Sequence, residues 1–462
     1  MIYLDSAATT FQKPPAVGRA MTEALASMSS PGRGGHPLAM RAADTAFRCR
    51  TELAELFGLD GPEGVAFTLN ATHALNIAIK SLVPPGGRVV ISGYEHNAVT
   101  RTLTALKAKV SVAGGPLFDQ EAAIRAFDEL IVPGVDAVIC NHVSNVFGFV
   151  QPVEKVAALC RSRGVPLIVD EAHGAHFRFS EYFPVSAAQL GADVVINSVH
   201  KTLPCLTQTG VIHLCSDRVS REKLKRFLGI YQSSSPSYIL MSSIDACMDK
   251  LEREGDEMFR VFTENLEKAR RRLSGCKYIR LVTPQACECQ RVFDFDRSKL
   301  LLSTVDSSLN GRQLHQILRE EFHLEMEMEA ENYVLALAAV GDTAEGFERL
   351  CEAVEEIDRR ESLKYRKEAV EQEPVKNGKM KQMMRISEAM DAENERYPLA
   401  ECIGRTSAEF AYLYPPGIPL IVPGEQISGH FVKNVRRYLE QGFEVQGLSD
   451  QTSETVCVVK NE

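Results

Sequence analysis

The stretch INSVHKTLPCLTQTG, residues 196–210, places Lys201 directly behind Ser198 and His200. A lysine amine bonds a carbonyl carbon once burial or a neighbouring cation strips its proton. Four other stretches offer matching chemistry. NATHALN presents Thr72 and the backbone of a helix N-terminus, GYEHNAVT presents His96, NHVSNVFG presents Asn145, and VPLIVD ends on Asp170, followed by His173. Helix N-terminal amides hold phosphate, and a carboxylate in low dielectric stabilises a neighbouring cation. Together the set suits a phosphorylated aromatic aldehyde. Each residue alone has a plainer reading. Thr72 serves as a helix cap, Asp170 as a turn residue, and His96 and Lys201 as ordinary surface or core side chains. Only their convergence argues for chemistry.

The elements that must position them are legible. Between residues 60 and 215 short apolar runs alternate with helical patterns: VAFTL (65–69), RVVIS (88–92), KVSVA (109–113), DAVICN (136–141), VPLIVD (165–170), DVVINS (193–198) and GVIHLC (210–215). Nearly continuous apolar runs are those of strands covered on both faces. The alternation predicts an α/β unit with a mainly parallel sheet. In such sheets ligands lie beyond the carboxyl ends of the strands, and that is where the candidate residues fall.

Two amphipathic helices precede this unit, and residues 244–275 read as one long helix leading into an α+β segment over 277–358. The division expected is a large domain with an N-terminal arm (1–255), a small α+β domain (256–358), a charged linker (359–395) and a C-terminal segment (396–462).

The formal charge of −9 argues against nucleic-acid and anionic-membrane partners. No basic segment followed by an apolar core opens the chain, and no apolar run approaches the ~20 residues needed to span a bilayer. The twelve cysteines are scattered. The closest pair, Cys287 and Cys289, lacks the second pair of a zinc site, so no metal centre is expected. Reduced thiols and a cytoplasmic location are the expectation. DEAH at 170–173 spells a helicase box, but no Walker A sequence accompanies it.

The sequence resembles fold type I pyridoxal-phosphate (PLP) enzymes, and two of their families in turn. Residues 1 to about 165 resemble class V aminotransferases and cysteine desulfurases, through MIYLDSAATT, GRGGHPLA, NATHALN, YEHNAVTR and NHVSNVFGFVQPVEKVAALCRSRGVPLIVD. From about 166 to 462 the chain is similar to the Orn/Lys/Arg decarboxylases, through VDEAHGAHFRFS, GADVVINSVHKTLPCLTQTG, SSSPSYILMSSID, LEMEMEAENYVLALAAVGDTAEGFERL and YPPGIPLIVPGE. The resemblance implies a seven-stranded, mainly parallel sheet with helices on both faces and a smaller α+β C-terminal domain. It implies that Lys201 forms the Schiff base with PLP, Asp170 pairs with the pyridine nitrogen and His96 stacks on the ring. Ala71, Thr72, His73, Ser198 and His200 would surround the phosphate, with Asn145 and His173 near the ring hydroxyl. A neighbouring subunit would complete the phosphate site, with Ser234 and Thr209 as candidates, making a homodimer or higher homo-oligomer the expected state.

Decarboxylation of a basic amino acid (lysine, arginine or ornithine) is the activity implied, with Lys201 or His173 returning the proton. The alternative is a class V reaction: cysteine desulfuration or another lyase reaction, or transamination. The desulfurase string RSGxHC is absent, as is the N-terminal FHTPGHKQG-like segment of the decarboxylases.

Overall fold

The computed structural model describes residues 1–32, 34–116, 119–284, 292–364, 380–414 and 417–460; Cys287, Cys289 and residues 365–379 of the charged stretch lie outside them. Strand β1 (Ile2–Leu4) precedes two amphipathic helices, α1 (Pro15–Ser27) and α2 (Pro37–Phe57). Strands and helices then alternate: β2 (Val65–Thr68), α3 (Ala71–Leu82), β3 (Arg88–Ser92), α4 (Asn97–Ala105), β4 (Lys109–Ala113), α5 (Gln120–Leu130), β5 (Ala137–Asn141), α6 (Val153–Ser162) and β6 (Leu167–Asp170). After β6 come β7 (Val194–Ser198), the one-turn α7 (Val199–Thr202) and β8 (Gly210–Leu214).

The seven expected strands form one sheet in the order β2-β8-β7-β6-β5-β3-β4. Only β8 runs against its neighbours, β2 and β7. The continuous apolar runs are explained by burial on both faces. Ile139, Ile168 and Ile196 pack with the apolar stripes of α3 and α4, whereas Val138, Val169 and Val195 pack with those of α5 and α6. Burying each such side chain contributes roughly 1.5–3 kcal/mol. This is the fold type I PLP-enzyme architecture.

Beyond α8 (Arg221–Tyr231), the long α9 runs over Tyr238–Leu273, starting earlier than the expected residue 244 because the Ser237 side chain caps it by accepting from the Leu240 N–H. Residue 255 therefore lies inside a continuous helix. A four-stranded sheet follows, ordered β12-β13-β10-β9, from β9 (Arg280–Leu281), β10 (Lys299–Ser303), β12 (Met328–Ala330) and β13 (Tyr333–Leu337). Between them lie α10 (Gly311–Glu320) and β11 (Leu324–Met326), which pairs in parallel with β1. Helix α11 covers Ala344–Lys364, so its end occupies the start of the stretch expected as linker. The C-terminal segment has its own core, including Leu399, Phe431 and Val458. No helix among the described residues is long and apolar enough to cross a membrane.

Sheet direction puts the carboxyl ends of β2, β3, β5, β6 and β7 along one edge. Asn141 is in register with Asp170, and Gly210 with both Ser198 and Thr68. Gly210 also lets the N-terminus of α3 come close, because a Cβ there would sit 2.7 Å from the Asn70 carbonyl carbon. Gly210→Ala is accordingly expected to cost about 1–3 kcal/mol in urea denaturation, with m unchanged.

Candidate active site

Strands β6 and β7 deliver the central residues. Asp170 ends β6, Ser198 ends β7, and α7 carries His200 and Lys201 immediately afterwards. Lys201 Nζ lies 2.9 Å from Nε2 of His173. His173 is buried, and its Nδ1 has no hydrogen-bond partner. Burial lowers the ammonium pKa of Lys201; the Asp170 and Glu327 charges oppose that shift and Lys299 reinforces it. Burial, together with the charges of Lys201 and Lys299, holds the imidazole of His173 well below the usual histidine range. Both effects favour a neutral amine beside a neutral imidazole.

Asp170 is buried, and its Oδ1 accepts from the Ala172 N–H at 3.1 Å. Burial raises its carboxyl pKa, opposed by that amide, His96 and Lys201. Behind it stands Glu171, fully buried, which accepts from the Ala187 N–H (2.7 Å), the Ser186 hydroxyl (3.0 Å) and the Asn197 amide (3.0 Å). Glu171 also meets His142 Nδ1 at 2.8 Å. One carboxylate thus ties together the ends of β5, β6 and β7.

The anion side is built by α3. Asn70, not Thr72, is its cap: the Asn70 side chain accepts from the His73 N–H at 2.9 Å. Ala71 and Thr72 then occupy the first two helical positions, whose N–H groups have no intrahelical acceptor. Thr72 is exposed, Ser198 is buried, and His200 Nδ1 lies 2.9 Å from the Thr209 carbonyl oxygen. His96 is exposed and caps α4, its Nδ1 accepting from the Ala98 N–H at 3.1 Å. Asn145 is exposed in the turn after β5, and Ser234 is exposed between α8 and α9. Thr209 corrects the expectation placed on it: it is buried in its own chain, and its hydroxyl donates to Leu206 O at 2.7 Å.

Four acidic residues enter that the motifs did not single out. Glu95 Oε1 accepts from the Ser92 hydroxyl (2.5 Å) and the Asn141 N–H (2.8 Å), fastening the loop of His96 to β5. Burial, with the Asp170 charge adding and the Ser92 hydrogen bond opposing, pushes its carboxyl up to about 7. The second is Glu171. Asp5 and Glu327 follow β1 and β11, whose parallel register brings them side by side. Their carboxyls hydrogen-bond, and burial plus the Asp5 charge pushes Glu327 up to about 8, against the Ala7 N–H and Lys201. Burial thus favours a proton on this pair. It borders a cavity of about 500 Å³ whose lining includes Glu325, Glu329, His315 and Tyr414. Only the acidic type of these residues was visible in the sequence; Asp5 and Glu327 in particular are joined by strand register across more than three hundred positions.

These groups fit PLP. The α3 amides suit a phosphate, Asp170 suits a pyridinium N–H, and the orphaned His173 Nδ1 and the Lys201 amine are polar atoms of the kind a ring hydroxyl and an aldehyde engage. Among the described residues no group of three or more His, Cys, Asp or Glu side chains is arranged to hold a metal ion.

Comparison with known proteins finds both resemblances. Residues 2–229 match the family model Aminotransferase class-V. Residues 121–343 match Orn/Lys/Arg decarboxylase, major domain, and residues 363–448 match its C-terminal domain. Arginine decarboxylases of Halalkalibacterium halodurans and Bacillus subtilis are each 28% identical to this chain, covering 88% of it and 84% of their own length. Among solved structures, the cysteine desulfurase from Thermococcus onnurineus superposes with a TM-score of 0.62 at 20% identity, covering 78% of this chain and 95% of that one. The likeness to the desulfurase is one of fold. The matches identify the chain as an enzyme, a carboxy-lyase.

Glu95 makes a pH test of this geometry. Its folded pKa of about 7 lies above the unfolded carboxyl value of ~4.3. Between those values the folded protein binds more protons, so stability falls as pH rises through that window. Cofactor-free Glu95→Gln is expected to lose less stability than wild type between pH 5 and 8, by about 1–3 kcal/mol, in urea titrations at both pH values.

Proposed function

We propose that the chain is a PLP-dependent decarboxylase of a basic amino acid, with Lys201 as the amine that anchors the cofactor. The observation that carries this reading is the buried Lys201–His173 contact beside Asp170, at the carboxyl edge of a fold type I sheet. PLP, when bound, supplies an electron sink for the pair released as a Cα–carboxyl bond breaks. Asp170 would hold the ring nitrogen protonated, since a contacting carboxylate favours the cation. The N–H groups of Ala71 and Thr72 and the hydroxyl of Ser198 would take the phosphate, with His73 and His200 flanking it. His96 would cover one face of the ring, and Asn145 and His173 would meet its hydroxyl. Lys201, freed as an amine, and His173 at 2.9 Å would hold one proton and return it to the α-carbon.

The relatives named arginine decarboxylase support a cationic substrate. So does the Asp5–Glu327 pair: the Glu327 charge is felt at Lys201, and the two carboxyls, once deprotonated, would pair with a guanidinium or ammonium. Desulfuration requires an accessible thiolate. Cys402, the late-chain cysteine in a loop, is buried, and its Sγ contacts the Leu399 carbonyl at 3.0 Å. The reading includes a homodimer, in which Ser234 reaches the partner's phosphate site, and a cytoplasmic location.

Incubation with arginine, lysine, ornithine and cysteine, with carbon dioxide and sulfide measured separately, tests this. Carbon dioxide from one of the three basic amino acids is expected; sulfide without carbon dioxide would overturn the proposal. Lys201→Ala should abolish turnover while the thermal midpoint holds, and His173→Gln should slow it by about 10²–10⁴-fold.

A further inference from the structure

The turn that carries Lys201 runs into a proline. Helix α7 covers Val199–Thr202, and Pro204 stands four positions after His200. A continuing helix would satisfy the His200 carbonyl with the N–H of residue 204, and proline has none. The donor comes instead from the N-terminal arm: the Thr10 N–H reaches the His200 carbonyl oxygen at 2.9 Å. The Thr10 hydroxyl, buried, donates to the Leu203 carbonyl oxygen at 3.1 Å. One residue of the arm thus holds carbonyls on both sides of Lys201. The arm itself is anchored before and after Thr10. Strand β1 pairs with β11, Asp5 bridges to Leu337, and the Ala7 N–H donates to Glu327 at 2.8 Å. Beyond Thr10 the chain lies close against the loop after β13, where a Cβ on Gly341 would sit 2.9 Å from the Gln12 carbonyl oxygen.

We propose that Thr10 is a positioning residue for Lys201, its N–H standing in for the donor that Pro204 lacks and its hydroxyl fixing the far side of the turn. The inference deepens the proposed function, since it rests on Lys201 as the amine that anchors the cofactor; Thr10 acts on it through the backbone of α7. A purely structural role accounts for less of the geometry. The Leu203 carbonyl also accepts from the Cys205 N–H at 2.8 Å, so it does not need the Thr10 hydroxyl to be satisfied. What the hydroxyl adds is direction: two bonds from one anchored residue hold a one-turn helix that a single bond would leave free to pivot. The Lys201 amine, 2.9 Å from His173 Nε2, depends on that orientation, and a misplacement of ~1 Å at a reacting group costs about 10²-fold.

Competitive acetylation of the full-length protein across a range of pH, read at Lys201 by peptide mass spectrometry, tests this without turnover. A turn released from Thr10 lets water reach the amine and favours its ammonium form. Without added PLP, Thr10→Val should therefore raise the proton affinity of Lys201 by about tenfold, while Thr10→Ser, which keeps the hydroxyl, should match wild type. The thermal midpoint should hold in both variants. If Thr10→Val fails to fold, Thr10→Ala deletes the same hydroxyl without a branched side chain. An unchanged Lys201 profile in the folded hydroxyl-deleted variant, or an equal shift in Thr10→Ser, overturns the proposal. Loss of the fold in both deletions overturns it too, since the hydroxyl would then be structural. With PLP added, Lys201 of the wild type should be protected from acetylation; labelling that PLP does not suppress would count against the proposed function alone.

Discussion

A lysine must lose its proton before it attacks a carbonyl, and the arrangement around Lys201 follows from that constraint. Burial disfavours the ammonium form, yet nearby carboxylates favour it. The outcome depends on which charges the fold brings near. Asp170 and Glu327 pull one way, and desolvation with Lys299 pulls the other. His173, kept neutral in the same environment, meets Lys201 Nζ at 2.9 Å.

The sheet makes this balance possible. Parallel strands place β6 and β7 carboxyl ends next to each other, so Asp170 and Lys201 share a site although 31 positions separate their numbers. Glu171 keeps those ends in register through four buried partners, and removing one member of such a network leaves the others unsatisfied. Gly210 then admits the N-terminus of α3, bringing unpaired amides to the same edge. Charge balance on one side and anion binding on the other are thus consequences of strand direction.

Much of this was legible in the sequence because it is local. Continuous apolar runs announced strands covered on both faces, and residues at their ends announced Asp170, Ser198 and Lys201. The cap of α3 is Asn70, so the plainer reading of Thr72 as a helix cap does not apply and Thr72 stands in the first turn instead. Thr209 was misplaced for a different reason: its burial depends on how the loop after α7 folds back to Leu206. Asp5 with Glu327 and Asp296 with His176 were beyond reach. Their pairing depends on β1–β11 register and on the docking of the 294–299 turn, and no periodicity encodes either.

The central claim is that Lys201, and no other buried lysine, carries the cofactor. Borohydride reduction of the protein reconstituted with PLP, followed by peptide mass spectrometry, tests it most directly. The account predicts a pyridoxyl-modified peptide containing Lys201. Modification at Lys299 or Lys13 instead, or none at all in a folded protein, would contradict it.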